Sequence, residues 1–514
     1  MVKIQDYPQV KVNFNPEIPL MKKIKDKTKI DVRYGVISPY TYIHIYWDPK
    51  EYEVVYEIEE PILTDQEKKY LDLILPALRD LIDFNVIVEK STDKLLEYID
   101  KRLKIISIEL GLNFPYETYK KLYYYLIRDF VGFNEIEPLL RDYFVEDIEC
   151  NGAEGSVYIV HRIFRNLKTT LIFKDMDRLE SFVEKLAQRS GKYISYSSPI
   201  LDASLPDGSR VNATYTKDIT SRGPTFTIRK FTKTPWTPPQ LLSFRTLSPE
   251  MLAYLWILVQ YKMNLLITGG TSSGKTRLLN AIAFFIPPEA RVVSIEDTRE
   301  LNLPRDNWLP SVVRNATGTG SAGEIDLFTL LKSSFRQNPD YVIVGEVRGK
   351  EAYVLFQGMA SGHSSISTMH ADSVDTVIKR LETPPIELSP TLLNVLDCVC
   401  IMTHAIAKKQ ETRKLKEIVE IINVTSEGVA LTNTPFIWNP ADDSFYSKKT
   451  SKIFEKIAKR YGITLEELEV EYKTRVKLLY TLYQNKVFDY QEFEDVITQY
   501  YKKPLEVLSK FGIA

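Results

Sequence analysis

Cysteine is nearly absent from this chain. Three residues in 514, Cys150, Cys398 and Cys400, cannot build a disulfide framework, and such sparing use suits a reducing compartment. Cys398 and Cys400 flank Val399 in an apolar stretch, where a strand puts both thiols on one face, and they are expected to be buried thiols rather than a metal or redox pair. Excess charge of either sign is also missing. The net charge of −1 gives no global attraction to nucleic acid. The first ten residues lack the basic-then-apolar pattern of a signal peptide. No apolar run is long enough to span a bilayer. The longest, Met251 to Val259, falls far short of the roughly 20 residues required. The chain is therefore expected to be cytoplasmic, touching a membrane only through a surface or a partner. No internal repeat is evident.

What is present is an ordinary globular composition, 44% hydrophobic and 26% charged, over a length that calls for several domains. Residues 1–60 read as a tail with Lys22, Lys23, Lys25, Lys27 and Lys29, followed by strands around Tyr40 to Trp47 and Tyr52 to Ile58. The tail is expected to be solvated unless its lysines dock an acidic partner or lipid. Residues 61–142 carry helical stripes (Leu95, Ile99, Leu103, Ile106; then Leu122, Leu126, Phe130, Phe133). A capping-box spacing at Thr64 and Glu67 opens the first helix, and Pro76 is expected to kink or break it. Residues 143–232 return to strands and turns around a helix at about 176–190, which reads as an α+β domain. Thr234-Pro235-Trp236-Thr237-Pro238-Pro239 favours an extended linker over 233–240. Residues 241–514 alternate short apolar strands (263–268, 291–295, 341–345, 365–369) with helices, the pattern of an α/β sheet; an alternating segment, Ile418 to Asn423, ends the sheet, and helices run on from there.

Within that sheet, Gly269-Gly270-Thr271-Ser272-Ser273-Gly274-Lys275-Thr276 matches G-x-x-x-x-G-K-[ST] between an apolar run and a helical pattern. Glycines let backbone N–H groups crowd around phosphate oxygens, and the helix that follows turns its positive end toward them. Lys275 can reach the β- and γ-phosphates, and the Thr276 hydroxyl can ligate Mg²⁺. Ligands of such sheets sit beyond the carboxyl ends of the strands. The next three strands deliver Glu296-Asp297, then Gly345-Glu346 with Arg348 close behind, then His370, with His363 before the last strand. A carboxylate at a strand end beside a phosphate loop handles Mg²⁺ and its waters, which assigns Glu346 as a second metal contact where Asp is the familiar residue.

This set resembles the ATPases of type II and type IV secretion systems, a family that includes pilus and archaellum motors. The likeness rests on the loop at 269–276, the acidic box Ile295-Glu296-Asp297, the Gly345-Glu346 variant of the Walker B strand, the histidine box from Gly362-His363 to His370, and the segments Leu205–Val211 and Gly223–Phe231. A four-cysteine zinc module found in some bacterial members has no counterpart, and the overall resemblance is nearest to the archaellum branch. It implies a C-terminal RecA-like P-loop ATPase domain, and an N-terminal α+β (PAS-like) domain preceded by a helical region. It also implies a homo-hexameric ring that takes ATP and Mg²⁺ and works with a polytopic membrane platform protein and accessory cytoplasmic motor proteins, without nucleic acid.

By the same resemblance Glu296 or Glu346 positions or activates water, and the sequence does not say which. His363 and His370 sense the γ-phosphate or link the site to movement. Arg210 and Arg229 are candidate arginine fingers from the amino-domain, with Arg336 and Arg348 as second choices. Two other readings stay open: a DNA-translocating motor, and a nucleotide-binding switch without turnover.

Overall fold

A computed structural model describes residues 4–14, 16, 17, 19, 21, 24, 26–81, 92–231, 235–303, 305–314, 323–407 and 410–513, without the side chains of 79–81, 92, 93, 407, 410 and 411. They form two compact units, Met1–Phe231 and Thr232–Ala514.

The first unit is built on nine strands: β1 (Asp31–Ile37), β2 (Thr41–Asp48), β3 (Glu53–Glu59), β4 (Val145–Cys150), β5 (Ser156–His161), β6 (Arg165–Ile172), β7 (Ile200–Ser204), β8 (Arg210–Thr214) and β9 (Thr225–Arg229). They lie in the order β1-β2-β3-β6-β5-β4-β9-β8-β7. One face is covered by the helix Met176–Arg189, whose Leu179, Phe182, Val183 and Leu186 meet Val211, Phe226 and Ile228 of the sheet. Strict alternation follows. Residues 211, 213, 226 and 228 are buried, while Arg210, Asn212, Thr227 and Arg229 point to solvent.

The strands at 31–59 do not stand apart from this sheet. β3 pairs in parallel with β6 through Val55 and Tyr56. A buried carboxylate secures the joint: Asp142 Oδ2 accepts the hydroxyls of Tyr34 and Tyr56 at 2.6 Å each, and Oδ1 accepts the Phe144 N–H at 2.8 Å. A pairing between residues more than a hundred positions apart has no local signature, which is why the sequence pattern separates these segments.

Helices Asp65–Leu81, Thr92–Glu109 and Tyr116–Leu126 share a core of Ile74, Leu78, Leu96, Ile99, Leu103, Ile106, Leu122 and Leu126. The Thr64–Glu67 capping box forms with both of its bonds. The first helix runs through Pro76 instead of ending there, because tertiary burial on either side of it outweighs the lost backbone bond. The start of the chain is not the solvated tail expected. Ile4, Tyr7 and Val10 are buried in the same core, and the Tyr7 hydroxyl donates to the Phe114 carbonyl at 2.7 Å. Aromatic residues at 7, 116 and 119 supply the contact area. Lys27 and Lys29 lie in a 3₁₀ turn capped by Asp26; Lys22, Lys23 and Lys25 lie outside the described residues.

The second unit holds another nine-stranded sheet: β10 (Leu265–Gly269), β11 (Val292–Glu296), β12 (Trp308–Val312), β13 (Tyr341–Val344), β14 (Ser364–Met369), β15 (Cys398–Ala407), β16 (Gln410–Val424), β17 (Ala430–Asn439) and β18 (Ser444–Ser447). The order is β12-β11-β13-β14-β10-β15-β16-β17-β18. The first six neighbours pair in parallel and the last three add antiparallel. Helices cover both faces, so β10, β11, β13 and β14 are buried at every position. Leu265 and Ile267 enter one core while Leu266 enters the other, and Val342/Val344 and Ile343 divide in the same way. The run Met251 to Val259 proves to be the middle of the helix Pro249–Gln260, buried on all sides.

The proline-rich segment is not extended throughout. Pro238 and Pro239 occupy the first turn of the helix Pro238–Ser243, where a missing N–H costs nothing, and Thr237 with Gln240 forms a capping box. Thr234 lies outside the described residues. Cys150, Cys398 and Cys400 are free, buried thiols, with Cys398 and Cys400 in one core. Among the described residues no helix is long and apolar enough to cross a membrane.

Candidate functional site

Because β10, β11, β13 and β14 are parallel, their carboxyl ends fall on one edge of the sheet. The loop after β10 turns back into the helix Lys275–Ala283. Gly274 caps that helix with φ +97°, a left-handed backbone that favours glycine. Ser272 is also left-handed, at φ +56°. The Ser273 N–H is directed into the loop, toward the Gly270 carbonyl at 3.4 Å, and its hydroxyl donates to the same carbonyl at 2.8 Å. Lys275 is half-buried, and Nζ donates to the carbonyls of Gly269 and Gly270 at 3.1 Å each. Burial lowers its pKa, opposed by the carboxylates of Glu346 and Glu300. Thr276 is the second residue of the helix. Asn280, one turn further, accepts the Asn302 N–H and donates to the carbonyls of Thr276 and Glu300, tying the helix to the segment after β11.

Strand order ranks the candidate acids by distance. β14 lies beside β10, β13 one strand further and β11 one further still. At about 4.8 Å per strand, Glu346 sits roughly 10 Å and Glu296 roughly 14 Å across the sheet from β10. Glu346 is partly exposed and ion-paired with Arg348, which also approaches Asp297 at 3.9 Å. Glu296 is 1% exposed. Its Oε1 accepts the N–H groups of Glu300 and Leu301 at 2.9 Å each, and its Oε2 is buried with no hydrogen-bond partner. Burial pushes this carboxyl up to about 7. Its side chain lies over Gly345, where a Cβ would come within 3.2 Å of Glu296 Cγ, so the glycine before Glu346 makes room for the other glutamate.

The two histidines of the box separate. His370 follows β14 at the loop edge, and its Nε2 is 3.0 Å from Thr271 Oγ1. His363 precedes β14 and stands at the opposite edge, about 20 Å away by strand rise. There its ring packs on Phe335, and Nδ1 lies 3.3 Å from the Gly358 carbonyl. Within one chain the fold therefore brings His370 to the phosphate loop and leaves His363 away from it: a strand six residues long, Ser364–Met369, lies between them.

Two residues at the site carry no motif signal. Thr368, buried in β14, donates to the Gly345 carbonyl at 2.6 Å and fixes the turn that presents Glu346. Arg413, on β16, donates from Nε to the Ser272 carbonyl at 2.8 Å. Neither has a spacing from which its role could be read.

In the first unit, Arg210 and Arg229 face each other across β8 and β9 on the solvent side of the sheet. Like charges in direct register repel, and each is neutralised by its own acid. Arg210 makes a two-pronged contact with Asp202 (Nε to Oδ1 at 3.1 Å, a terminal nitrogen to Oδ2 at 2.9 Å), and Arg229 Nε reaches Asp147 Oδ1 at 3.2 Å.

The sequence model of the type II/IV secretion system protein family matches residues 131–425. The chain belongs to the type II/IV secretion system ATPase family. The match covers more than half of its length and contains every site residue named above. A similar protein, uncharacterised protein MJ0900 of Methanocaldococcus jannaschii, is 34% identical over 96% of this chain and 92% of its own. Type IV secretion system protein PtlH of Bordetella pertussis is 33% identical over 40% of this chain and 67% of that protein. Among solved structures, the VirB11 ATPase of the Brucella suis type IV secretion system, crystallised with sulphate, aligns over 55% of this chain and 92% of its own with 25% identity and a TM-score of 0.29. The second unit is the family's RecA-like P-loop domain, and the first holds its α+β domain, with the helical region at 65–126 lying between β3 and β4 of the sheet.

Proposed function

We propose that this secretion-ATPase family member hydrolyses ATP with Mg²⁺ in a homo-hexameric ring and uses the cycle to drive assembly or rotation of a type IV pilus-like filament, the archaellum. The observation that carries the reading is the convergence on one sheet edge of Lys275, in the field of Glu346, and His370, bonded to Thr271. Residues Gly269, Gly270, Thr271, Ser272, Ser273, Gly274, Lys275 and Thr276 cradle the phosphates. The donor set suits a hard divalent cation. The Thr276 hydroxyl and the Glu346 carboxylate are oxygen donors, and no three His, Cys, Asp or Glu among the described residues are arranged to hold an ion by themselves, so phosphates and water would complete the shell. When bound, Mg²⁺ supplies charge neutralisation at the β- and γ-oxygens.

Between the two glutamates, the geometry favours Glu346 as the group that positions water, being the nearer and the partly exposed one. Glu296 holds the 297–301 turn. Arg210 and Arg229 are assigned as fingers supplied to a nucleotide. The exposed Arg–Asp pairs that hold them cost about 0–1 kcal/mol to break, whereas a finger's rate factor of about 10³ to 10⁵ corresponds to about 4–7 kcal/mol of transition-state stabilisation, so leaving the aspartate costs little against what the arginine supplies in the transition state. His370 links the loop to β14. His363, held at the opposite edge of its own sheet, is assigned to the site of a neighbouring subunit.

Partners of this reading are a polytopic membrane platform protein and accessory cytoplasmic motor proteins, with the ring held at the inner face of the membrane through them. The alignment with MJ0900 covers 96% of the chain and so reaches into the first 130 residues, beyond the span that the family model matches, and supports an archaeal machine. The names of relatives such as PtlH keep a secretion or adhesion-pilus role as the second reading.

Phosphate release, measured alongside the mass of the assembly with and without ATP·Mg²⁺, tests the core of the proposal: six subunits with nucleotide and steady turnover are expected. A fully active monomer excludes the ring, and binding without phosphate release leaves a switch. Loss of the filament and of swimming in a deletion strain is the outcome for the archaellum; loss of adhesion fibres alone moves the role to a pilus.

A further inference from the structure

The hairpin of β15 and β16 forms a roof over the phosphate loop. Gly269 lies opposite Met402 in the parallel β10–β15 register, and a Cβ on Gly269 would fall 2.5 Å from the Met402 carbonyl. A Cβ on Gly274 would touch Met402 Cε at 3.4 Å and Arg413 Cδ at 3.5 Å. Arg413 therefore lies along the apex of the loop, with Nε on the Ser272 carbonyl at 2.8 Å.

Ser272 is where such a bond matters. A non-glycine residue at φ +56° is disfavoured by about 1–3 kcal/mol and persists only when its surroundings hold it. A trans peptide directs its C=O and the next N–H to opposite sides. With the Ser272 carbonyl drawn out toward Arg413, the Ser273 N–H is turned into the loop, where it is directed at the Gly270 carbonyl. That is the orientation in which a loop amide meets a phosphate.

The arginine is itself set by a buried neighbour. Lys414, 2% exposed and pointing to the other face of β16, donates to the Arg245 carbonyl at 2.7 Å and pairs with Asp443 at 2.8 Å.

We propose that Arg413 is a positioning residue for nucleotide binding: it holds the Ser272–Ser273 peptide so that the loop is preformed for the diphosphate portion shared by ADP and ATP. The inference rests on Gly269–Thr276 being the nucleotide site. It differs from the role of a finger arginine, which acts on the transferring γ-phosphoryl group and leaves ADP binding alone.

The test uses the full-length protein with a fluorescent ADP analogue and an ATP analogue that is not hydrolysed, together with the unfolding midpoint of the nucleotide-free protein. Arg413→Ala is expected to weaken both ligands equally, by roughly tenfold for one lost charge-assisted bond. Arg413→Lys keeps the charge but not Nε and recovers only part of the loss, and KM for ATP rises by more than kcat falls. Wild-type affinity for both analogues in Arg413→Ala overturns the inference. So does weakening of the ATP analogue alone, which is the behaviour of a finger, or weakening that tracks a fall in the unfolding midpoint and is fully reversed by Arg413→Lys, which is a packing role. If the wild-type protein itself binds neither analogue, the nucleotide-site reading has failed and this inference goes with it.

Discussion

The two nine-stranded sheets put their polar residues in different places. Around the parallel strands of the second unit both faces are buried, and the charged groups of the site lie at the carboxyl edge, where backbone turns and neighbouring strands fix each one: Lys275 on loop carbonyls, Glu296 on two amides, Glu346 through the Thr368–Gly345 turn. In the first unit one face is open, and Arg210 and Arg229 lie on it, paired with the carboxylates of Asp202 and Asp147. A site at a buried edge is preorganised and costly to rearrange. A charged pair on an open sheet face exchanges partners at little cost. The fixed edge suits gripping a phosphate, and the open face suits giving an arginine to one and taking it back.

Substitutions on the two sheets should therefore separate binding from turnover. Lys275→Ala has the largest expected effect: turnover falls below detection and nucleotide affinity falls with it. Arg210→Ala is expected to lower kcat by roughly 10³-fold, the low end for a finger, while ADP affinity stays within about threefold. Stopped turnover with intact binding is the signature to look for, and a normal steady-state rate in Arg210→Ala removes the open face from the mechanism. The acids at the buried edge come next. Glu346→Gln keeps size and removes charge beside Lys275 and should cost at least about 10²-fold in kcat, in the range of a general-base contribution. If Glu296→Gln costs more than Glu346→Gln, their assignments are reversed.

Most of the phosphate edge was legible because it is built from consecutive residues. A strand, a glycine loop and a helix N-terminus are written at 265–283, and three further strands are written as short uncharged runs closed by Glu296, Glu346 and His370. What was not legible depends on contacts distant in sequence. Nothing at 413 announces that β16 folds over 272, and nothing at 34 or 56 announces a shared bond to Asp142. The sequence pattern ends the sheet at 418–423, whereas β15 to β18 carry it on to Ser447, because an antiparallel edge with one wetter face lacks the all-apolar runs that mark β10 and β13. The histidine box reads as one feature along the chain, yet a strand holds its ends at opposite edges of the sheet. Pro76 and Pro238 were each read by their usual local effect, and burial in one case and position in the first helical turn in the other altered the outcome.

The last expected effect lies in Glu296 and concerns stability rather than rate. Its carboxyl is pushed up from the ordinary 4.5 to about 7 by burial. The folded protein keeps a proton that the unfolded chain releases above pH 4.5, so this contribution to stability is complete below that pH and is lost as pH rises toward 7. The linkage amounts to about 3 kcal/mol across the window. Glu494, also pushed up to about 7 by burial, acts in the same window but is present in both proteins, so it cancels in a comparison. Glu296→Gln keeps an acceptor for the Glu300 and Leu301 amides and removes the titration. Denaturant unfolding of wild type and Glu296→Gln at intervals from pH 5 to 8 should give two curves that converge at the acid end, with the variant gaining relative stability as pH rises. Parallel curves would mean that Glu296 is ionised throughout, with its second oxygen held by a charge or a water, and the fixed edge would then carry Glu296 as a second negative group along with Glu346.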